Sequence, residues 1–130
     1  MKRVNADITA SLEDYLEAIY FIDSQGGDVR ITDIADELKI SKPSVNRAIN
    51  TLKAQGYVEH EHYGSLKLTE TGLEIAKSVA KKHMMLKRFL KDVLKVDEKS
   101  AEQEACLVEH CLSQDTINKF SNFMDNFLDD

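Results

Sequence analysis

At 130 residues, 31% of them charged and with a formal net charge of −6, the chain is long enough for one compact domain or two small ones with a real core. Two cysteines make no disulfide framework, and neither a signal peptide nor an apolar run of membrane-spanning length is present; the expected class is a soluble, cytoplasmic protein with no membrane partner. The acidic total does not exclude nucleic acid, because Asp92 to Asp130 holds ten acidic and three basic residues, a net −7, and leaves the stretch before it at +1.

In chain order, Met1 to Thr9 is polar and reads as a frayed end. Ser11 is the expected N-cap of a first helix running to about Ile22, with Leu12, Tyr15, Leu16 and Ile19 on its apolar face. Asp14 and Glu17 are spaced i,i+3, so both carboxylates project from one side, nearly opposite that face. Phe21 points the same way, which suggests that something covers it. Gln25 to Asp28 reads as a turn, and Val29 to Ile31 as a short strand.

Ile31 to Leu68 then alternates helix, break, helix and hairpin. Thr32 to Leu38 has Ile34, Ala35 and Leu38 on one face, and Lys39-Ile40 is the break. Ser41 caps a second helix, Pro43 sits in its first turn, where a missing N–H costs nothing, and Gly56 stops it. Val45, Ala48, Ile49 and Leu52 form its inner face. Tyr57 to Glu61 and Leu66 to Leu68 alternate like paired strands around a turn at Tyr63-Gly64-Ser65. This order is that of a winged helix-turn-helix. The outer side of the second helix offers Ser41, Lys42, Pro43, Ser44, Asn46, Arg47 and Asn50, with no acidic residue between Ile40 and Val58. Such a helix enters the major groove of double-stranded DNA, where Arg47 suits guanine and Asn46 or Asn50 adenine.

Thr69 or Thr71 opens a long linking helix, about 71–91, with Ile75, Val79, Leu86, Phe89 and Leu90 in its apolar stripe and His83 on the same side. Asp97 or Ser100 starts the next helix. There Glu102, Cys106, Glu109 and His110 fall within one stripe about 100° wide, at ~100° per residue, while Ala105, Val108 and Leu112 lie on another face. Ser113 with Thr116 opens a last helix, whose Phe120, Phe123 and Phe127 form an apolar stripe expected to be a homodimer surface. The predicted fold is mainly α: an N-terminal winged helix-turn-helix (1–72) and a C-terminal α-helical dimerisation domain (73–130).

Asp14, Glu17, His83, Cys106, Glu109 and His110 form a candidate metal-ligand set. Carboxylate with imidazole suits manganese, iron(II), cobalt and zinc, and a thiolate shifts the balance toward softer or borderline ions. Taken singly, each has a plainer reading: a wet helix face for Asp14 and Glu17, a satisfied core histidine for His83, a small buried apolar group for Cys106. No acid/base or nucleophile constellation stands apart from these residues and no glycine-rich phosphate loop is present, so a hydrolytic metalloenzyme is not expected.

LEDYLEAIY at Leu12–Tyr20, ISKPSVNRAINTLKAQGYV at Ile40–Val58, LTETG at Leu68–Gly72, KKHMMLKRFL around His83 and CLVEHCLS at Cys106–Ser113 resemble the diphtheria toxin repressor family of metal-dependent transcriptional repressors, and its manganese transport regulator branch most closely. The resemblance implies a homodimer that binds an operator and represses metal-uptake genes when metal is plentiful, with Mn(II) or Fe(II) as cofactor and as many as two ions per subunit. It places Asp14, Glu17, His83, Glu109 and His110 on ligand positions. Cys106 stands where the manganese branch has glutamate and the iron-type repressors cysteine. Lys87 stands where the iron-type repressors have an acidic ligand of an ancillary site, so that site is not expected in its usual form. In the implied switch, a cation neutralises carboxylates that otherwise repel and so fixes the spacing of two recognition helices. The competing readings are a winged-helix regulator that answers a non-metal signal, its acidic stripe merely solvated, and a protein-interaction module without a DNA role.

Overall fold

The computed structural model describes residues 9–60 and 64–129. The polar start, Met1 to Asn5 onward to Ile8, and the wing positions Glu61 and Tyr63 lie outside the described residues. The chain divides into two compact units, with the boundary after Ser78.

In the first unit α1 (Ala10–Ser24), α2 (Ile31–Leu38) and α3 (Lys42–Ala54) precede an antiparallel pair, β1 (Val58–His60) and β2 (Leu66–Leu68). The hairpin register sets Val58 opposite Leu68 and His60 opposite Leu66. α1 packs on α2, α3 and β2, and Leu16, Ile19, Ile34, Val45, Ile49 and Leu52 are almost wholly buried at the centre. The helical spacing of these apolar residues forms the core, because only one face of each helix can be removed from water. Two starts differ from expectation. Thr9, not Ser11, caps α1: its hydroxyl accepts from the Leu12 N–H, and the helix extends to Ser24. Val29 to Ile31 is no strand; Val29 makes a single bridge to Leu66, and the Asp33 carboxylate accepts from the Arg30 N–H, so that α2 begins at Ile31.

The break between α2 and α3 is closed by Lys39 in the left-handed region (φ 57°), with the Ile40 N–H donating to the Ala35 carbonyl. Ser41 then caps α3 through the Ser44 N–H, with Pro43 in the first turn. At the far end Gly56 (φ 82°) lets the Tyr57 N–H return to the Leu52 carbonyl at 2.9 Å, which stops the helix and points the chain into β1.

Thr69 joins the hairpin to the helix that follows. Its hydroxyl donates to the Gly56 carbonyl at 2.7 Å and accepts from the Gly72 N–H at 3.1 Å, capping α4 (Glu70–Arg88). The helix ends three residues before the expected Lys91. Phe89–Val93 forms a wider π turn, closed by Leu94 N–H to the Phe89 carbonyl and Val96 N–H to the Leu90 carbonyl, with Lys95 left-handed (φ 62°).

In the second unit α5 (Glu98–Val108), capped by Asp97 through the Ser100 N–H, packs on this π turn. The Ser100 backbone N–H holds the Asp97 carboxyl below its usual range. Ala101 and Ala105 are buried along α5, as are Ile117 and Met124 along α6 (Gln114–Asp129). α6 is opened by Ser113, whose hydroxyl accepts from the Thr116 N–H. The Phe89 ring meets those of Phe120 and Phe123 edge-on, with centroids 5.2 and 6.1 Å away, yet Phe123 and Phe127 stay largely exposed. α5 stops at Val108, so Glu109 and His110 leave the helix in which the spacing had placed them and lie in the turn after it. Among the described residues no helix is long and apolar enough to cross a membrane.

Candidate metal centre and nucleic-acid interface

α4, α5 and the turn after α5 bring His83, Cys106 and Glu109 together: one donor atom from each lies within 4.8 Å of the others. His83 sits between two carboxylates. Its Nδ1 donates to Glu109 Oε2 and its Nε2 to Glu102 Oε1, each at 2.9 Å. Glu109 is 1% exposed, and its Oε1 is buried without a hydrogen-bond partner among the described residues. His110 Nε2 lies 3.2 Å from that oxygen, at ion-pair distance but off the line of a hydrogen bond. A buried carboxylate oxygen left unsatisfied is costly. Imidazole, thiol and carboxylate gathered in this way fit a divalent transition metal, which would replace the proton between His83 and Glu109.

The His83 pKa is raised from 6.5 to about 9, first by the hydrogen bond to Glu109, against burial, which lowers it, and with further help from Glu102. The Glu102 carboxyl is pushed up by burial, but hydrogen bonds from Lys87 and His83 outweigh that and leave it lowered. Because the folded value of His83 lies above the ordinary one, its protonation stabilises the metal-free fold fully below pH 6.5, and this contribution is lost as pH rises through about 9. The chelator-treated chain is therefore expected to lose thermal stability between pH 6.5 and 9, and a His83→Gln chain to show a flatter profile, in melts followed by circular dichroism. If the two profiles coincide, the doubly bonded imidazolium is wrong. Over the same window the affinity of a metal held by His83 would rise with pH, since a proton must leave.

Asp14 and Glu17 stand half-buried on α1, in the other unit. The sequence set Glu102 in the right stripe without a role, and Lys87 entered only as the residue that stands in place of an acidic ligand of an ancillary site. The available signal was a pair of i,i+4 series, His83, Lys87 and Lys91 against Glu98, Glu102 and Cys106.

Of the candidate DNA-contacting residues, Lys42, Pro43, Asn46, Arg47 and Asn50 are exposed on α3. Ser41 and Ser44 are joined by their hydroxyls at 3.0 Å, and Arg47 Nη2 donates to Ser44 Oγ at 3.3 Å. The serines thus build the first turn and hold the guanidinium over it. The first two turns of α3 present two cations, Lys42 and Arg47, and no carboxylate, an arrangement suited to phosphate and to guanine edges.

A family model described as the N-terminal DNA binding domain of iron dependent repressors matches residues 7–66, and one described as the iron dependent repressor metal binding and dimerisation domain matches residues 69–130. Over 123 residues the chain is 40% identical to an uncharacterised HTH-type transcriptional regulator of Methanocaldococcus jannaschii, covering 94% of this chain and 98% of that one. It is 33% identical over 122 residues to the HTH-type transcriptional regulator MntR of Bacillus subtilis, covering 94% and 85%. The solved structure of the manganese regulator SloR matches with a TM-score of 0.81 at 25% identity, over 91% of this chain and 55% of that one; this chain spans about half its length.

Proposed function

Because the chain belongs to the diphtheria toxin repressor family, among the metal-dependent repressors like MntR, we propose that it senses Fe(II) or Mn(II) through His83, Cys106, Glu109 and His110 and represses metal-uptake genes. It is a metal-sensing, DNA-binding transcriptional repressor; the ion, the ligands and the target genes are the proposal. The observation that carries the ligand assignment is the buried Glu109 carboxylate, gathered with an imidazole and a thiol, whose Oε1 has no hydrogen-bond partner among the described residues. Cys106 supports ranking Fe(II) above Mn(II), since thiolate prefers the more borderline ion. Asp14 and Glu17 are proposed as the ligands contributed by the DNA-binding unit, on the strength of the family resemblance at Leu12–Tyr20. When bound, the ion supplies positive charge to these carboxylates. The proton shared by His83 and Glu109 would leave to solvent as they took the ion, and Asp14 and Glu17, by the resemblance, would add the winged unit's carboxylates to the set. The DNA-facing residues would be Ser41, Lys42, Pro43, Ser44, Asn46, Arg47 and Asn50 of a homodimer on an operator.

The test is an anaerobic gel-shift titration on a metal-uptake promoter with chelator, Mn(II) and Fe(II) in parallel. Metal is expected to tighten DNA binding by about 5- to 150-fold, the usual range of a coupling between two sites. Arg47→Ala is expected to weaken binding at every metal concentration, and Cys106→Glu to move the preference toward Mn(II). Equal shifts with chelator and with metal would leave the alternative of a non-metal signal.

A further inference from the structure

We propose that Glu102 is a positioning residue that holds His83 with Nδ1 toward the metal, and that Lys87 keeps the Glu102 carboxylate out of the metal's own ligand set. This rests on the reading of His83, Cys106 and Glu109 as ligands. A ligating imidazole offers one nitrogen to the ion and donates the N–H of the other, most often to a carboxylate or carbonyl, which fixes both tautomer and ring orientation. His83 has that division built in. Nδ1 lies on the Glu109 side and Nε2 on the Glu102 side, each 2.9 Å from an oxygen. Glu109 is buried and Glu102 is half exposed, 52% at its side chain, so the two carboxylates are not equivalent. The buried one belongs with the thiolate; the exposed one braces the ring from outside.

A carboxylate this close to a metal site is itself a candidate ligand, and something must hold it back. Glu102 Oε2 is 3.0 Å from Lys87 Nζ, and Lys87 in turn is 3.7 Å from Glu98, with Lys91 3.8 Å from the same Glu98 oxygen. The two i,i+4 series thus meet as a ladder, Lys91 to Glu98, Lys87 to Glu98 and Glu102, His83 to Glu102 and Glu109. Exposed ion pairs contribute little, so stability alone is a weak reason for three rungs in register. Position is the stronger one: the Lys87 ammonium already supplies a positive charge at Glu102, and a second cation bound there would have to displace it or sit beside it. The consequence is one ion at His83, Cys106 and Glu109, in a set poorer in oxygen than it would be with Glu102 free.

Co(II) titration of the full chain under anaerobic, reducing conditions tests this, with the thiolate-to-cobalt absorption reporting Cys106 and the visible d–d bands reporting coordination number. Glu102→Ala is expected to lower Co(II) affinity about 10- to 100-fold, the usual cost of losing such an outer partner, while the thiolate band survives at saturation. Glu102→Gln, whose amide oxygen still accepts from Nε2–H, should recover most of that loss. Lys87→Met should weaken the d–d bands as Glu102 enters the shell, allow a second equivalent of Co(II), and raise Mn(II) affinity relative to Co(II). Wild-type affinity and spectrum in Glu102→Ala, or a Gln variant no better than Ala, would overturn the proposal. His83→Ala separates the two failures. If it loses Co(II) while Glu102→Ala does not, only the positioning role is wrong; if it binds as wild type does, the ligand reading falls and this inference falls with it.

Discussion

Glu109→Gln is expected to abolish the metal-dependent gain in thermal stability while moving the metal-free melting temperature far less. An ion bound only to the native state at 100 times its dissociation constant adds about 2.7 kcal/mol. For a chain of this size each kcal/mol is worth roughly 4 °C, so wild type should gain about 10 °C on adding metal. The glutamine keeps the shape of the side chain and an acceptor for His83, but not the negative charge that draws a cation to a site where Oε1 is buried without a hydrogen bond. In the metal-free state two effects oppose: the loss of the charge-assisted bond to His83, and relief from a buried, half-satisfied carboxylate. Scanning fluorimetry with chelator, Mn(II) and anaerobic Fe(II) measures both. A metal-dependent gain that survives in Glu109→Gln would place the ion elsewhere.

The second large effect concerns Gly72. In an exposed helical position, glycine to alanine stabilises by about 1 kcal/mol. Here the added Cβ would fall 2.0 Å from the Tyr57 carbonyl oxygen and 2.9 Å from its carbon, both backbone atoms that cannot turn aside. One of the two segments must move, and both are tied down: Tyr57 accepts from the Thr69 N–H at 3.0 Å, and Thr69 bonds Gly56 and Gly72. Gly72→Ala is therefore expected to destabilise by about 3 kcal/mol, at the upper end of the range for overpacking. The sign is diagnostic. A neutral or stabilised variant in urea melts would show that α4 does not approach the hairpin so closely.

Much of the winged unit was legible because its signals are local. The spacing of Val45, Ile49 and Leu52, the Ser41 cap, Pro43 and Gly56 each act within a turn or two of chain, and the helix they define is the one observed. The candidate metal site was legible as residue types: histidine, cysteine and carboxylates at helical spacing. What could not be read was which carboxylate meets which nitrogen. His83 and Glu102 are 19 residues apart, and their contact depends on how the chain turns between two helices. That turn carries no periodic signal; its π geometry and the left-handed Lys95 are set by packing rather than by a glycine or proline. The same holds at the end of α5, where Glu109 and His110 follow the helical spacing in sequence but sit past its last turn.

That π turn also constrains how the chain can change length. It holds one residue more than an α-helical turn would need, so Phe89–Val93 stores a spare residue at the end of α4, just before the chain leaves the helix. A deletion there could be absorbed by reverting to the tighter helix, but everything after it would rotate by ~100°, one residue's worth of helical phase. Lys91 would lose Glu98, and the rungs that seat Glu102 against His83 would fall out of step. Length variation among relatives should therefore be tolerated before Lys77 or after Ser113 more readily than between His83 and Cys106, where the count of residues is itself part of the site.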